Sequence, residues 1–179
     1  MNISLVSVRY AKALFNSSKD KGIMEDVYGD IRLLMSQCAE MDEFCEFVRS
    51  PVVKPSKKKE LFRDVFGKIL NPVTIDFLNV VIDNNREAIL DSIFRSYISF
   101  NKKEKNIKSV TIYSAFEMED AYVVSVRKIL AKELGEPIEL KVVTKEDLLG
   151  GFILKVDDKM VDASITGKLK QVRNQLING

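Results

Sequence analysis

At 179 residues, with 46% apolar and 30% charged side chains, the sequence reads as an ordinary globular protein of one large or two small domains. Its formal net charge of +2 is spread evenly, with 17 basic and 15 acidic residues up to position 105 and 11 of each beyond, which argues against a nucleic-acid partner. Histidine is absent, which removes the commonest general base and metal ligand, and no apolar run approaches the ~20 residues needed to span a bilayer.

The opening Met1-Asn2-Ile3-Ser4-Leu5 lacks the basic segment and apolar core of a secretory signal, so a cytoplasmic chain is expected. Residues 4–19 read as the first helix. It carries one apolar stripe of Val6, Tyr10, Ala13 and Leu14 and a second of Val8, Ala11 and Phe15. A helix apolar on two sides is either central to a bundle or keeps one stripe for a partner. Ile23, Val27, Ile31, Leu34, Met35 and Cys38 mark a second helix, broken at Met41-Asp42. Asp42 is a natural cap for a short third helix with Phe44, Phe47 and Val48. Cys38 and Cys45 are the only cysteines and are expected to be reduced, partly buried core residues.

Pro51 and Pro55 interrupt the helical pattern, and Ser56 is placed to cap a fourth helix with Leu61, Phe62, Val65, Phe66 and Ile69 inward. Asn71-Pro72 opens a fifth, in which Ile75, Leu78, Val81 and Ile82 recur as far as the turn at Asn84-Asn85. Ile89, Ile93, Phe94, Tyr97 and Ile98 make a sixth. The expected fold is therefore mainly α. An N-terminal six-helix bundle over residues 1–105 precedes a small C-terminal α/β domain over residues 106–179.

Residues 101–106 are polar, and the period then changes. Val110 to Ser114 is a strand, and Glu117 to Leu134 a helix with Tyr122, Val126, Ile129 and Leu130 inward and Gly135 past its end. Residues 138–142, 152–156 and 160–165 alternate with period two, as half-buried strands do. Ile165, Leu169, Val172 and Leu176 return to helical spacing, so a closing helix is expected to lay an apolar stripe across the sheet. Gly150-Gly151 enters a strand, whereas a phosphate-cradling loop would lead into a helix, so these glycines are read as structural.

Lys54 with Lys57-Lys58-Lys59 could touch phosphates, but Glu60 and Asp64 follow at helical spacing and no aromatics interleave, which favours a solvated face. Asp157, Asp158 and Asp162 could suggest a divalent cation. Two of them lie in a turn, and Asp162 and Ser164 share the solvent face of an alternating strand. No set of nucleophile, base and orienter can be assembled without histidine, so no catalytic, cofactor-binding or metal-binding residues are assigned. The first and fifth helices have more apolar positions than one core needs and could form a groove for a third helix, although periodicity alone favours a well-filled six-helix core.

Three segments resemble one family. Leu148-Leu149-Gly150-Gly151-Phe152, then Val161-Asp162-Ala163-Ser164-Ile165 and Gly167-Lys168-Leu169, follow the C-terminal signature of the delta subunit of F-type ATP synthases, the oligomycin-sensitivity-conferring protein of mitochondria. Arg9-Tyr10-Ala11-Lys12-Ala13-Leu14-Phe15 and Val80-Val81-Ile82-Asp83-Asn84-Asn85-Arg86 are similar to its N-terminal motif and to the end of its fifth helix, with Asn85 where glycine is often found. The resemblance implies a non-catalytic stator subunit at the membrane's cytoplasmic face, supporting proton-driven ATP synthesis and touching the membrane only through the complex. Tyr10, Ala13, Leu14, Val80 and Val81 would hold the N-terminal helix of an alpha subunit. The C-terminal domain would grip the C-terminal helices of the b subunits. Gly150, Gly151, Asp162, Ser164, Gly167 and Leu169 would be structural. The rival reading is a helical nucleic-acid-binding or regulatory protein, recognisable by salt-steep binding through Lys54 to Lys59.

Overall fold

A computed structural model describes residues 3–157 and 159–170 and divides the chain into two compact units, Met1–Asn101 and Lys102–Gly179. Among the described residues it is mostly helical, with one small four-stranded sheet.

The first unit is built on α1 (Ile3–Asp20), α2 (Met24–Glu40), α3 (Asp42–Arg49), α4 (Pro55–Phe66), α5 (Pro72–Asp83), a 3₁₀ turn at Glu87–Ile89, and α6, which starts at Leu90. Its core gathers Ala11 and Leu14 from α1, Val27, Ile31 and Leu34 from α2, Phe62 and Phe66 from α4, Leu78, Val81 and Ile82 from α5, and Ile93, Phe94 and Tyr97 from α6. The line of α1 that goes inside is Val6, Ala11 and Leu14, with Ser7 and Ser18, so neither expected stripe is buried whole. Val8 stays exposed, while Tyr10 and Phe15 are half-buried.

Polar groups fix the register of the packed helices. Asp30 on α2 accepts from the Thr74 hydroxyl at 2.5 Å and the Asn71 N–H at 2.9 Å, while the Asn71 side chain caps α5 by accepting from the Val73 N–H at 3.0 Å. That cap and Pro72 at the first helical position are the expected helix start. The hydroxyls of Ser18 and Tyr97 lie 2.9 Å apart, tying α1 to α6 inside the core.

Several expectations need correction. Pro55 occupies the first turn of α4 and Lys54 its cap, so Ser56 does not cap it. The α3 cap is Met41, extended and without a side-chain bond, and Asp42 is instead its first helical residue. Val65 and Ile69 point outward. Lys58, read as part of a solvated run, is buried and forms an ion pair with Glu87 at 2.7 Å. Its neighbours pair on the surface, Lys57 with Glu60 at 2.6 Å and Lys59 with Asp83 at 2.5 Å. Cys38 and Cys45 are joined by a disulfide, not reduced, because α3 turns back at Met41 and brings their Cα atoms to 5.2 Å.

The second unit holds the end of α6, which runs to Glu104, then β1 (Lys108–Ser114), α7 (Asp120–Leu134), β2 (Ile138–Thr144), a 3₁₀ turn at Glu146–Leu148, β3 (Phe152–Val156) and β4 (Lys159–Asp162). Strand order is β2-β1-β3-β4. α7 is the crossover that lets β2 lie parallel to β1, and the other two pairings are antiparallel. Val110 stands opposite Leu140 and Val156, and Ile112 opposite Val142 and Leu154, so the alternating apolar residues form rows on one face.

Among the described residues, Val110, Ile112, Ala115, Ile138 and Leu148 are the buried apolar residues of this unit. Gly135 ends α7 in the left-handed conformation, as expected. No residue of α7 is fully buried, and Tyr122 and Ile129, expected inward, are exposed. β4 ends at Asp162, so Ile165 opens the next helical stretch, residues 165–170, instead of closing a strand. Ile165 and Leu169 remain exposed there and do not lie inside the unit as a closing stripe would. Val172 and Leu176 lie outside the described residues.

Candidate functional site

The sequence marks two regions, the surface of α1 and α5 and the glycine-rich signature of the second unit. On the first, the rings of Tyr10 and Phe77 meet edge to face with centroids 6.4 Å apart, which joins α1 to α5. Tyr10 is half-buried, Ala13 is exposed, and Val80 keeps 51% of its surface open. Leu14 and Val81 are 2% and 0% exposed. They form the floor beneath this surface and present nothing to a partner directly. Leu5 and Val8 are also exposed but lie on the far side of α1 from Tyr10. At the other end of α5, Asn84 donates to the Val80 carbonyl at 2.7 Å, and Asn85 takes φ +52°, a conformation asparagine tolerates.

In the signature, Gly150, Gly151, Asp162, Ser164 and Gly167 each have a structural task, whereas Leu169 is exposed. Gly151 has φ +76°, and a Cβ there would stand 2.5 Å from the Ala163 carbonyl oxygen. Gly150 packs so closely on Ile165 that a Cβ would come within 2.6 Å of its Cδ1. Asp162 accepts from the Ser164 N–H at 2.9 Å and its hydroxyl at 2.6 Å. The Ser164 oxygen in turn accepts from the Gly167 N–H at 2.9 Å, capping residues 165–170. A side chain at position 167 would strike the Asp162 carboxylate, 2.5 Å from a Cβ.

Ser164 is therefore buried and lies past the strand, not on its solvent face beside Asp162. The Ser164 bonds hold the Asp162 carboxyl below the usual carboxylate range. Alternation suggested a strand through Ile165. The signal that could have been read instead is Asp-x-Ser-x-x-Gly, a capping pattern ahead of an apolar helical period.

The remaining acidic candidates are similarly occupied. Asp157 accepts from the Ser109 N–H at 3.3 Å, and Asp158 lies outside the described residues. Among the described residues no group of three or more His, Cys, Asp or Glu side chains is placed to hold a metal ion, and no helix is long and apolar enough to cross a membrane.

The second unit also has an apolar depression. Met118, Val126, Ile129 and Leu130 face Ile112, Phe152 and Leu154 across a cavity of about 380 Å³ between α7 and the sheet. Sequence reasoning missed it, because it placed Val126, Ile129 and Leu130 inward as filled core.

Comparison with known proteins covers almost the whole chain. The family model described as ATP synthase delta (OSCP) subunit matches residues 6–176. Proteins named ATP synthase subunit delta from Bacillus thuringiensis (strain Al Hakam) and Bacillus cereus (strain AH820) are each 30% identical over 178 residues, covering 99% of this chain and 98% of theirs. A chain in the cryo-EM structure of the Toxoplasma gondii mitochondrial ATP synthase hexamer superposes with a TM-score of 0.80 at 22% identity, over 96% of this chain and 97% of that one. That last likeness is one of fold.

Proposed function

Because the chain belongs to the ATP synthase delta (OSCP) subunit family, we propose that it is the stator joint of such a complex. In this reading it links the catalytic head to the peripheral stalk at the cytoplasmic face of a bacterial membrane and performs no bond chemistry. Residues 1–105 form the six-helix bundle that receives the N-terminal helix of an alpha subunit. Residues 106–179 receive the C-terminal helices of the b subunits. The complex is driven by protons, and the subunit reaches the membrane only through it.

One observation carries the head contact. α1 and α5 meet at Tyr10 and Phe77, and the same surface leaves Ala13 and Val80 open above a floor of Leu14 and Val81. A firm floor under an open apolar strip is what a helix-in-groove contact requires. The test is calorimetric titration of the chain with a peptide of the alpha subunit's N-terminal segment from the same organism. Tyr10→Asp or Val80→Asp, in protein still helical by circular dichroism, is expected to weaken binding at least tenfold. Unchanged affinity in both variants would remove the groove and leave only the family.

A further inference from the structure

The disulfide is used by nothing in the stator reading. It joins the last turn of α2 to α3 across the corner at Met41, closing a loop of sequence separation seven. Cys45 is buried and Cys38 half-buried, so Cys38 is the more open of the two to an attacking thiolate. Together with Leu34, Phe44, Phe62 and Phe94, the two cysteines line an apolar cavity of about 40 Å³.

That cavity matters for the reduced state. Breaking the bond moves two sulfurs from bonding distance to van der Waals separation, and a close-packed interior would resist this as overpacking. Here the space adjoins both residues. α3 also keeps non-covalent anchors, since the Phe44 ring packs on Phe62 and Phe66 at centroid distances of 6.0 and 5.6 Å and Val48 is buried. Both redox states can thus be packed, which a permanent staple would not need.

We propose that Cys38 and Cys45 form a reversible thiol–disulfide switch that sets the stability of the α2–α3 corner. The co-reactant is the low-molecular-weight thiol couple of the cell, glutathione or an equivalent. A thiolate attacks Cys38 Sγ and releases the Cys45 thiolate, which takes a proton. A second thiol resolves the mixed disulfide and frees Cys38. Two electrons and two protons pass to the protein, and two small thiols leave as one small disulfide. The chemistry stands whether or not the stalk reading does, although a reducing cytoplasm is where a bond of this kind would be transient.

The experiment equilibrates the native full chain in glutathione buffers from fully oxidised to fully reduced, quenches with an alkylating mass tag and counts tagged cysteines by mass spectrometry. A complete transition between no tag and two tags within that range is expected. Thermal melts of the same samples should fall by about 5–10 °C on reduction, as loss of a short disulfide loop predicts. The double variant Cys38→Ala/Cys45→Ala should melt near the reduced form and ignore the buffer. Two tags throughout would show that the bond does not form. No tag in fully reduced glutathione would make it a permanent staple. An unchanged melt on reduction would deny it any hold on the corner. Each of these overturns the proposal, and all are read on the wild-type chain even if the variant fails to fold.

Discussion

At Gly151 two constraints coincide, the positive φ and the Ala163 carbonyl 2.5 Å from any Cβ. Gly151→Ala is therefore expected to cost about 2 kcal/mol or more, from left-handed strain plus displaced backbone. Gly135 has a similar φ of +67° but open space around it, so Gly135→Ala should cost only about 1 kcal/mol. Amide exchange along β3 and β2 reads both, and equal effects would mean that the close approach carries no weight. Asp162 adds a pH dependence. Its folded pKa is lowered by the Ser164 bonds, so its contribution is complete above the unfolded carboxylate value of about 4 and is lost as pH falls through the folded one. Exchange protection in residues 165–170 should fall below about pH 4, and Asp162→Asn should flatten that decline.

Among the helices of the first unit, the Lys58–Glu87 pair ties α4 to the turn before α6, with both side chains buried. Lys58→Met leaves Glu87 without its cation in the interior and should cost about 3–5 kcal/mol in urea unfolding. Adding Glu87→Leu should restore most of that loss, because an apolar pair avoids the desolvation cost. A double variant no better than the single one would mean that the residues act independently. This pair also marks where sequence reading stops. Period located α1 to α6 because it is local, and Asn71-Pro72 and Gly135 were legible for the same reason, although the caps expected at Asp42 and Ser56 were not formed. Lys58 could not be told from Lys57 and Lys59, since its partner lies 29 residues away. The disulfide depended on the chain reversing at Met41, and the open side of α7 on a gap between helix and sheet that periodicity does not report. On the α1–α5 surface the motif marked the right stretch, but only burial separates Tyr10, Ala13 and Val80 above from Leu14 and Val81 below.

The whole molecule has a second unit that fully buries few of its described apolar residues, with Phe116, Tyr122, Ile129, Phe152, Met160 and Val161 all exposed. A unit with a core this small has much to gain from a partner, and a chain holding one partner at each end gains again through effective concentration. Linking two contacts typically strengthens an assembly 10²–10⁴-fold over either alone. The joint is accessible to a test because α6 ends at Glu104 and Asn106 turns the chain at φ +52° before β1. A protease site inserted after Lys105 interrupts no described strand and follows the last residue of α6. In assembled complex, cleavage there should leave the peptide affinity of the first unit unchanged while the head separates from the stalk on dilution at least a hundredfold more readily. Retention equal to that of the uncut chain would mean that one end alone carries the load, and the chain would then be a clamp on one partner and not a bridge between two.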